Sequence, residues 1–194
     1  PKLPLDAYVC KIIKAQVQAN EYGEQLCLVF DIAEGNYAGF YKKEFAANTM
    51  DNKKYKGVLR IFLPKNDGSD KDEWAKSILK GMVTSFEKSN PGYKWNWNEQ
   101  SLVGRMVGIM FRNEEWDYNN KTGWAVRPFR VMSVDTVRSG DYTLPKDKPL
   151  KKNESAGGYG TGSGYSVPNY SVPDYSAPAS DFALLNDDDA QLPF

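Results

Sequence analysis

Leu26, Leu28, Phe30 and Ile32 alternate with Cys27, Val29 and Asp31, which reads as the period-2 pattern of a half-buried strand. An apolar, β-rich segment at 8–17 precedes it, and Asn20-Glu21-Tyr22-Gly23 supplies the turn of a first hairpin. A third extended piece is read at 37–45, and 58–63 is available to continue the sheet. The pattern then changes period. Trp74, Ile78, Met82 and Phe86 recur every four residues, flanked by Leu79 and Val83, and Asp70 followed by Glu73 resembles a capping box. One long helix is predicted there, ended by Asn90-Pro91-Gly92. Two more strands, 103–111 and 124–134, are joined by a polar arm around Asn119-Asn120-Lys121-Thr122-Gly123. Trp95 and Trp97 alternate as a strand would and are expected to pack beneath the sheet.

Three strands, a helix and a hairpin are the element order of the OB-fold, a five-stranded, partly open barrel that binds oligonucleotides on one face and through its first and last hairpin loops. The expected fold class is therefore mainly β, with one helix between the third and fourth strands and a disordered C-terminal tail. An SH3-like barrel would lack so long a helix before its last hairpin, and an α/β fold would need more helices.

Composition changes beyond the body. The chain has 194 residues with 25 basic and 25 acidic side chains, but from Asn153 onward there are six acidic residues and no Lys or Arg, leaving a body of net +6 and a tail of −6. Such a split points to a polyanionic partner and to a segment able to mimic one. The tail opens with Gly157-Gly158-Tyr159-Gly160-Thr161-Gly162-Ser163-Gly164-Tyr165 and continues with the imperfect repeat Ser166-Val167-Pro168-Asn169-Tyr170, Ser171-Val172-Pro173-Asp174-Tyr175. With so few aliphatic side chains it cannot offset its ordering entropy, and it reads as a spacer rather than a phosphate-binding glycine loop. The expected organisation is a body at 1–152, a disordered linker at 153–186 and an acidic tip at 187–194.

The chemistry on offer is that of a binder. There are no histidines and only two cysteines, Cys10 and Cys27, which are expected to be free buried thiols. Imidazole-based metal sites and catalytic triads are excluded, and neither a metal nor a cofactor is expected. The carboxylate pairs Asp72-Glu73 and Glu114-Glu115 fit a helix start and a solvated strand end, so no enzyme is read here. No apolar run approaches the roughly 20 residues of a membrane span, and no leader pattern opens the chain, which makes a cytosolic address the default expectation.

Cations and aromatic rings cluster instead. Tyr37, Phe40, Tyr41, Lys42 and Lys43 are followed by Lys53, Lys54, Tyr55, Lys56 and Arg60. The last hairpin adds Trp116, Tyr118, Lys121, Trp124 and Arg127, and the first turn presents Tyr22. Single-stranded nucleic acid requires both types, because bases stack on rings for roughly 1–3 kcal/mol each while Lys and Arg track phosphates.

The sequence closes with Asp187-Asp188-Asp189-Ala190-Gln191-Leu192-Pro193-Phe194. The ring can fill a pocket while the acids meet Arg or Lys around it. Asp187, Asp188, Asp189, Leu192, Pro193 and Phe194 resemble the acidic tip of bacterial single-stranded DNA-binding proteins, with Ala190-Gln191 as an insertion. In the body, Leu5-Asp6-Ala7-Tyr8-Val9-Cys10-Lys11-Ile12, Asp31-Ile32-Ala33-Glu34-Gly35, Asn90-Pro91-Gly92-Tyr93 and Gly108-Ile109-Met110-Phe111-Arg112-Asn113 are similar to single-stranded DNA-binding proteins encoded by phages and mobile elements of Gram-positive bacteria. The resemblance implies sequence-independent coating of single-stranded DNA in replication, recombination and repair. It also implies a tail that docks replication and recombination proteins, and it leaves homo-oligomerisation open. Two other readings compete: an interaction adaptor whose barrel is an inert support, and a nuclease or annealing enzyme, which the lack of a metal-ligand cluster disfavours.

Overall fold

The computed structural model describes residues 2–151; the linker at 153–186 and the tip at 187–194 lie outside them. Five strands form one antiparallel sheet: β1 (Ala7–Asn20), β2 (Gly23–Ile32), β3 (Val58–Phe62), β4 (Met106–Tyr118) and β5 (Lys121–Met132). Their spatial order is β3-β2-β1-β4-β5. Helix α1 (Phe40–Ala47) lies between β2 and β3, α2 (Asp70–Ser89) between β3 and β4, and α3 (Val134–Ser139) after β5. Among the described residues no helix is long and apolar enough to cross a membrane.

β1 is the hinge of the sheet. Its first part, from Ala7 to Lys11, pairs with β4, while Cys10 to Asn20 pairs with β2. A register shift between Ile12 and Lys14 marks a bulge at the change of partner, and a bulge bends a strand and raises its twist. The sheet curls until the edge strands β3 and β5 come into contact, with no ladder of hydrogen bonds between them. Inside the curl lie Ile12, Leu26, Leu28, Phe30, Val107, Ile109 and Phe111, closed over by Met82 and Phe86 of α2. β2 is buried from Gln25 to Ile32 on both faces, more than the half-buried strand its alternation predicts.

Three expectations need correction. The segment 37–45 is not the third strand. Tyr41 and Phe45, four residues apart, lie on one side of α1, and both pack on the core together with Tyr37 of the preceding turn. The Asp31 carboxylate caps this helix, accepting from the backbone N–H of Tyr41 (3.0 Å) and Lys42 (3.2 Å). The third strand is β3 alone. Second, the cap of α2 is Ser69, whose Oγ accepts from the Asp72 N–H at 3.2 Å, one residue before the position expected. Third, Trp95 and Trp97 lie in no strand, and Trp97 is 77% exposed.

Asp72, expected only at a helix start, is buried. It accepts from the N–H groups of Lys65 (2.8 Å) and Asn66 (2.9 Å) and pairs with Lys76 at 3.0 Å. Burial pushes its carboxyl upward, but Lys76 and these amides outweigh that and hold it below the usual range. The loop between β3 and α2 is thereby fastened to the helix. At the other end of α2, Asn90 donates to the carbonyls of Phe86 and Met106 and accepts from the Met106 N–H, tying the helix to the start of β4.

Candidate nucleic-acid interface

The first cluster of rings and cations divides into an inner and an outer layer. Tyr41 and Tyr55 are buried, which corrects their expected place on the binding surface. The Tyr41 ring stands edge-on to Phe30 at 5.6 Å and to Phe40 at 5.2 Å, and the Tyr55 hydroxyl donates to the Phe30 carbonyl at 3.0 Å. Burial pushes both phenols well above the ordinary tyrosine range. Gly57 permits this closeness, because a Cβ there would come within 2.4 Å of the Phe30 carbonyl oxygen. Tyr37 and Phe40 are half-buried against the same core.

The lysines face outward. Lys42, Lys43, Lys54 and Lys56 are exposed. Lys43 donates to the Ala38 carbonyl at 2.9 Å, Lys53 lies 4.7 Å over the Phe45 ring, and Lys56 pairs with Glu44 at 2.6 Å. This cluster therefore offers charge backed by a small aromatic core, and what it suits is a phosphate rather than a base.

The β4–β5 ribbon offers rings. Its strands pair in register from Phe111–Pro128 to Tyr118–Lys121, far beyond the part that β1 covers. Asn119 and Asn120, at φ of 50° and 58°, close it with a two-residue turn that favours Asn or Gly. Tyr118 is 72% exposed and directly opposite Lys121. Trp116 and Arg127 share the face of Tyr118 and Lys121, whereas Trp124, opposite Glu115, lies on the other. Arg127 lies 3.7 Å from Glu114, which also pairs with Arg112 at 2.6 Å, and Arg112 stacks 4.0 Å over Phe129.

The ribbon is braced from its side. Lys148 donates to the Asn113 carbonyl at 2.8 Å and its own carbonyl accepts from the Glu115 N–H at 2.9 Å, while the Leu150 N–H donates to the Glu115 carboxylate. Glu114 and Glu115 are thus structural anchors, and residues 148–150 run along the edge of β4 that β1 leaves uncovered.

A third group lies on the outer face of β1, β2 and β3. Register places Gln16, Cys27 and Arg60 in one row and Gln18, Gln25 and Phe62 in the next, all on the side opposite the core residues Leu59 and Ile61. Arg60 and Phe62 are partly exposed. Tyr22, 47% exposed, stands in the adjoining turn, where its N–H donates to the Asn20 side chain. Phe62, Gln16 and Gln18 were not anticipated from the sequence. The available signal was phase: within 58–63, Arg60 and Phe62 alternate with buried Leu59 and Ile61.

The expected partner-binding residues Asp187, Asp188, Asp189, Leu192, Pro193 and Phe194 lie outside the described residues. Comparison of the chain with protein-family models and with curated proteins finds no match.

Proposed function

We propose that the chain is a non-enzymatic binder of single-stranded DNA, acting without sequence preference through an OB-type barrel. The observation that carries this reading is the projecting β4–β5 ribbon with Trp116, Tyr118, Lys121 and Trp124 along it. Two features support it. The sheet order β3-β2-β1-β4-β5 with a helix between β3 and β4 matches a partly open five-stranded barrel. The outer face of β3, on the side where such barrels bind oligonucleotides, carries Arg60 and Phe62, with Tyr22 in the first hairpin turn. Rings on the ribbon and on Phe62 stack bases, and the lysines of α1 and of 53–56 track phosphates. The tip at 187–194 recruits replication and recombination proteins, with Phe194 as the anchoring ring.

Titration of labelled oligo-dT by fluorescence anisotropy tests this. Binding should be independent of sequence, and for about five neutralised phosphates log K should fall with log salt at a slope near −3.5. Absence of binding at low salt would remove the proposal and leave the adaptor reading.

A further inference from the structure

Trp97 is 77% exposed, more than even Tyr118 at the tip of the ribbon. Its backbone φ is +62°, a left-handed conformation that suits Asn or Gly and is costly for an aromatic residue. This is not a frayed segment. The Asn96 side chain accepts from the Asn98 N–H at 3.1 Å, and that of Asn98 from the Gln100 N–H at 3.0 Å. Gln100 donates to the Ala15 carbonyl at 2.7 Å, and the Trp95 N–H donates to Glu87 at 3.1 Å. Beneath Trp97 lies Trp95, packed against the core, with its ring tilted at 64° and 6.0 Å away. The chain holds an indole in solvent at the expense of backbone strain, and core packing gives no reason for it.

The surroundings indicate what the ring meets. Its chain neighbours Asn96, Asn98 and Gln100 are exposed and polar, so the ring stands out from a polar loop on a body whose net charge of +6 favours a polyanion. Cations are close in the chain: Lys94 is largely exposed and pairs with Glu87, and the Arg105 guanidinium lies 3.9 Å over the Tyr93 ring. A flat exposed ring on a body of net +6 suits a nucleobase, which stacks on the ring while its phosphates meet the cations of the body. The site is also distant from the ribbon tip. Asn90 binds the Met106 end of β4, and Gln100 binds β1 near its bulge. From Met106 to Tyr118 the strand rises about 3.3 Å per residue, on the order of 40 Å in all.

We propose that Trp97 is a second base-stacking platform, separate from the β4–β5 ribbon, which engages only single strands long enough to reach both. This rests on the single-stranded DNA reading above. The test compares the full chain with Trp97→Asn, Trp97→Phe and Tyr118→Ala on oligo-dT of about 5 and about 30 nucleotides. Asn accepts the left-handed backbone, so Trp97→Asn should melt at the same temperature as the parent or higher. Its Kd for the long strand should rise about fivefold or more, with the short strand unaffected. Trp97→Phe should recover most of that loss, and Tyr118→Ala should weaken both lengths. If the parent binds but Trp97→Asn leaves the long-strand Kd unchanged, or weakens both lengths equally, the second platform is overturned while the DNA reading stands. If the parent binds neither strand, the DNA reading itself fails.

Discussion

The indole of Trp116 lies across Gly123 on the facing strand, so closely that a Cβ on Gly123 would come within 2.7 Å of it. The two residues are register partners, and the glycine provides a bed that holds the ring flat on the ribbon. Gly123→Ala should therefore displace the indole without unfolding the body, since the ring is what must move. Oligo-dT affinity should fall by roughly 1 kcal/mol, the value of one stacked base, and Trp116→Ala should add little to it. Additive losses in the double variant, read by anisotropy, would show that the two positions act separately.

Tyr41 and Tyr55 belong to stability rather than to binding. Tyr55→Phe removes the hydroxyl that donates to the Phe30 carbonyl and should cost about 1 kcal/mol. Tyr41→Ala removes a buried ring that contacts Phe30 and Phe40 and should cost about 3 kcal/mol or more. Urea unfolding measures both, and oligo-dT affinity of the folded fraction should not change. A variant that kept its stability and lost DNA binding would return these rings to the surface.

The same burial gives the protein an alkaline limit. Desolvation pushes the phenols of Tyr8, Tyr41 and Tyr55 well above the ordinary range, with the Asp6 carboxylate adding to the effect at Tyr8. An unfolded tyrosine loses its proton near pH 10. Above that pH the unfolded chain sheds protons that the native state retains, so stability is complete below about pH 10 and falls steadily as pH rises. The urea midpoint should drop between about pH 9 and pH 11, and Tyr55→Phe should drop less. Equal drops in parent and variant would mean that Tyr55 contributes nothing to the slope.

The β1–β2 hairpin and α2 were legible because each obeys one period and carries its own turn or cap. Helix α1 was not. Its rings Phe40, Tyr41 and Phe45, and Tyr37 just before it, are strand-favouring residues, and the four-residue spacing of Tyr41 and Phe45, with the Asp31 cap supplied from β2, marks the segment as helical. The ribbon was read several residues short because, from Arg112 onward, both of its faces are partly open to solvent, so no apolar alternation marks it. The cations of the candidate site were visible as composition. Which rings face outward was not, because a helix turn decides it for Tyr41 and strand phase decides it for Phe62.

Strand phase also yields the sharpest test of the outer face. Ile61 and Phe62 are adjacent on β3 but point to opposite sides, Ile61 into the core cluster and Phe62 toward the row shared with Gln25 and Gln18. Truncating Ile61 to Ala leaves a cavity among packed side chains and should cost about 2–5 kcal/mol of stability, with little effect on DNA affinity once folded. Phe62→Ala removes a partly exposed ring at the end of an edge strand and should reduce oligo-dT affinity by about 1 kcal/mol or more, with a much smaller effect on unfolding. Measured together by urea denaturation and anisotropy, the pair should show opposite profiles. If Phe62→Ala destabilises the fold as strongly as Ile61→Ala while binding persists, the outer face of β3 is packing surface and drops out of the proposed nucleic-acid path.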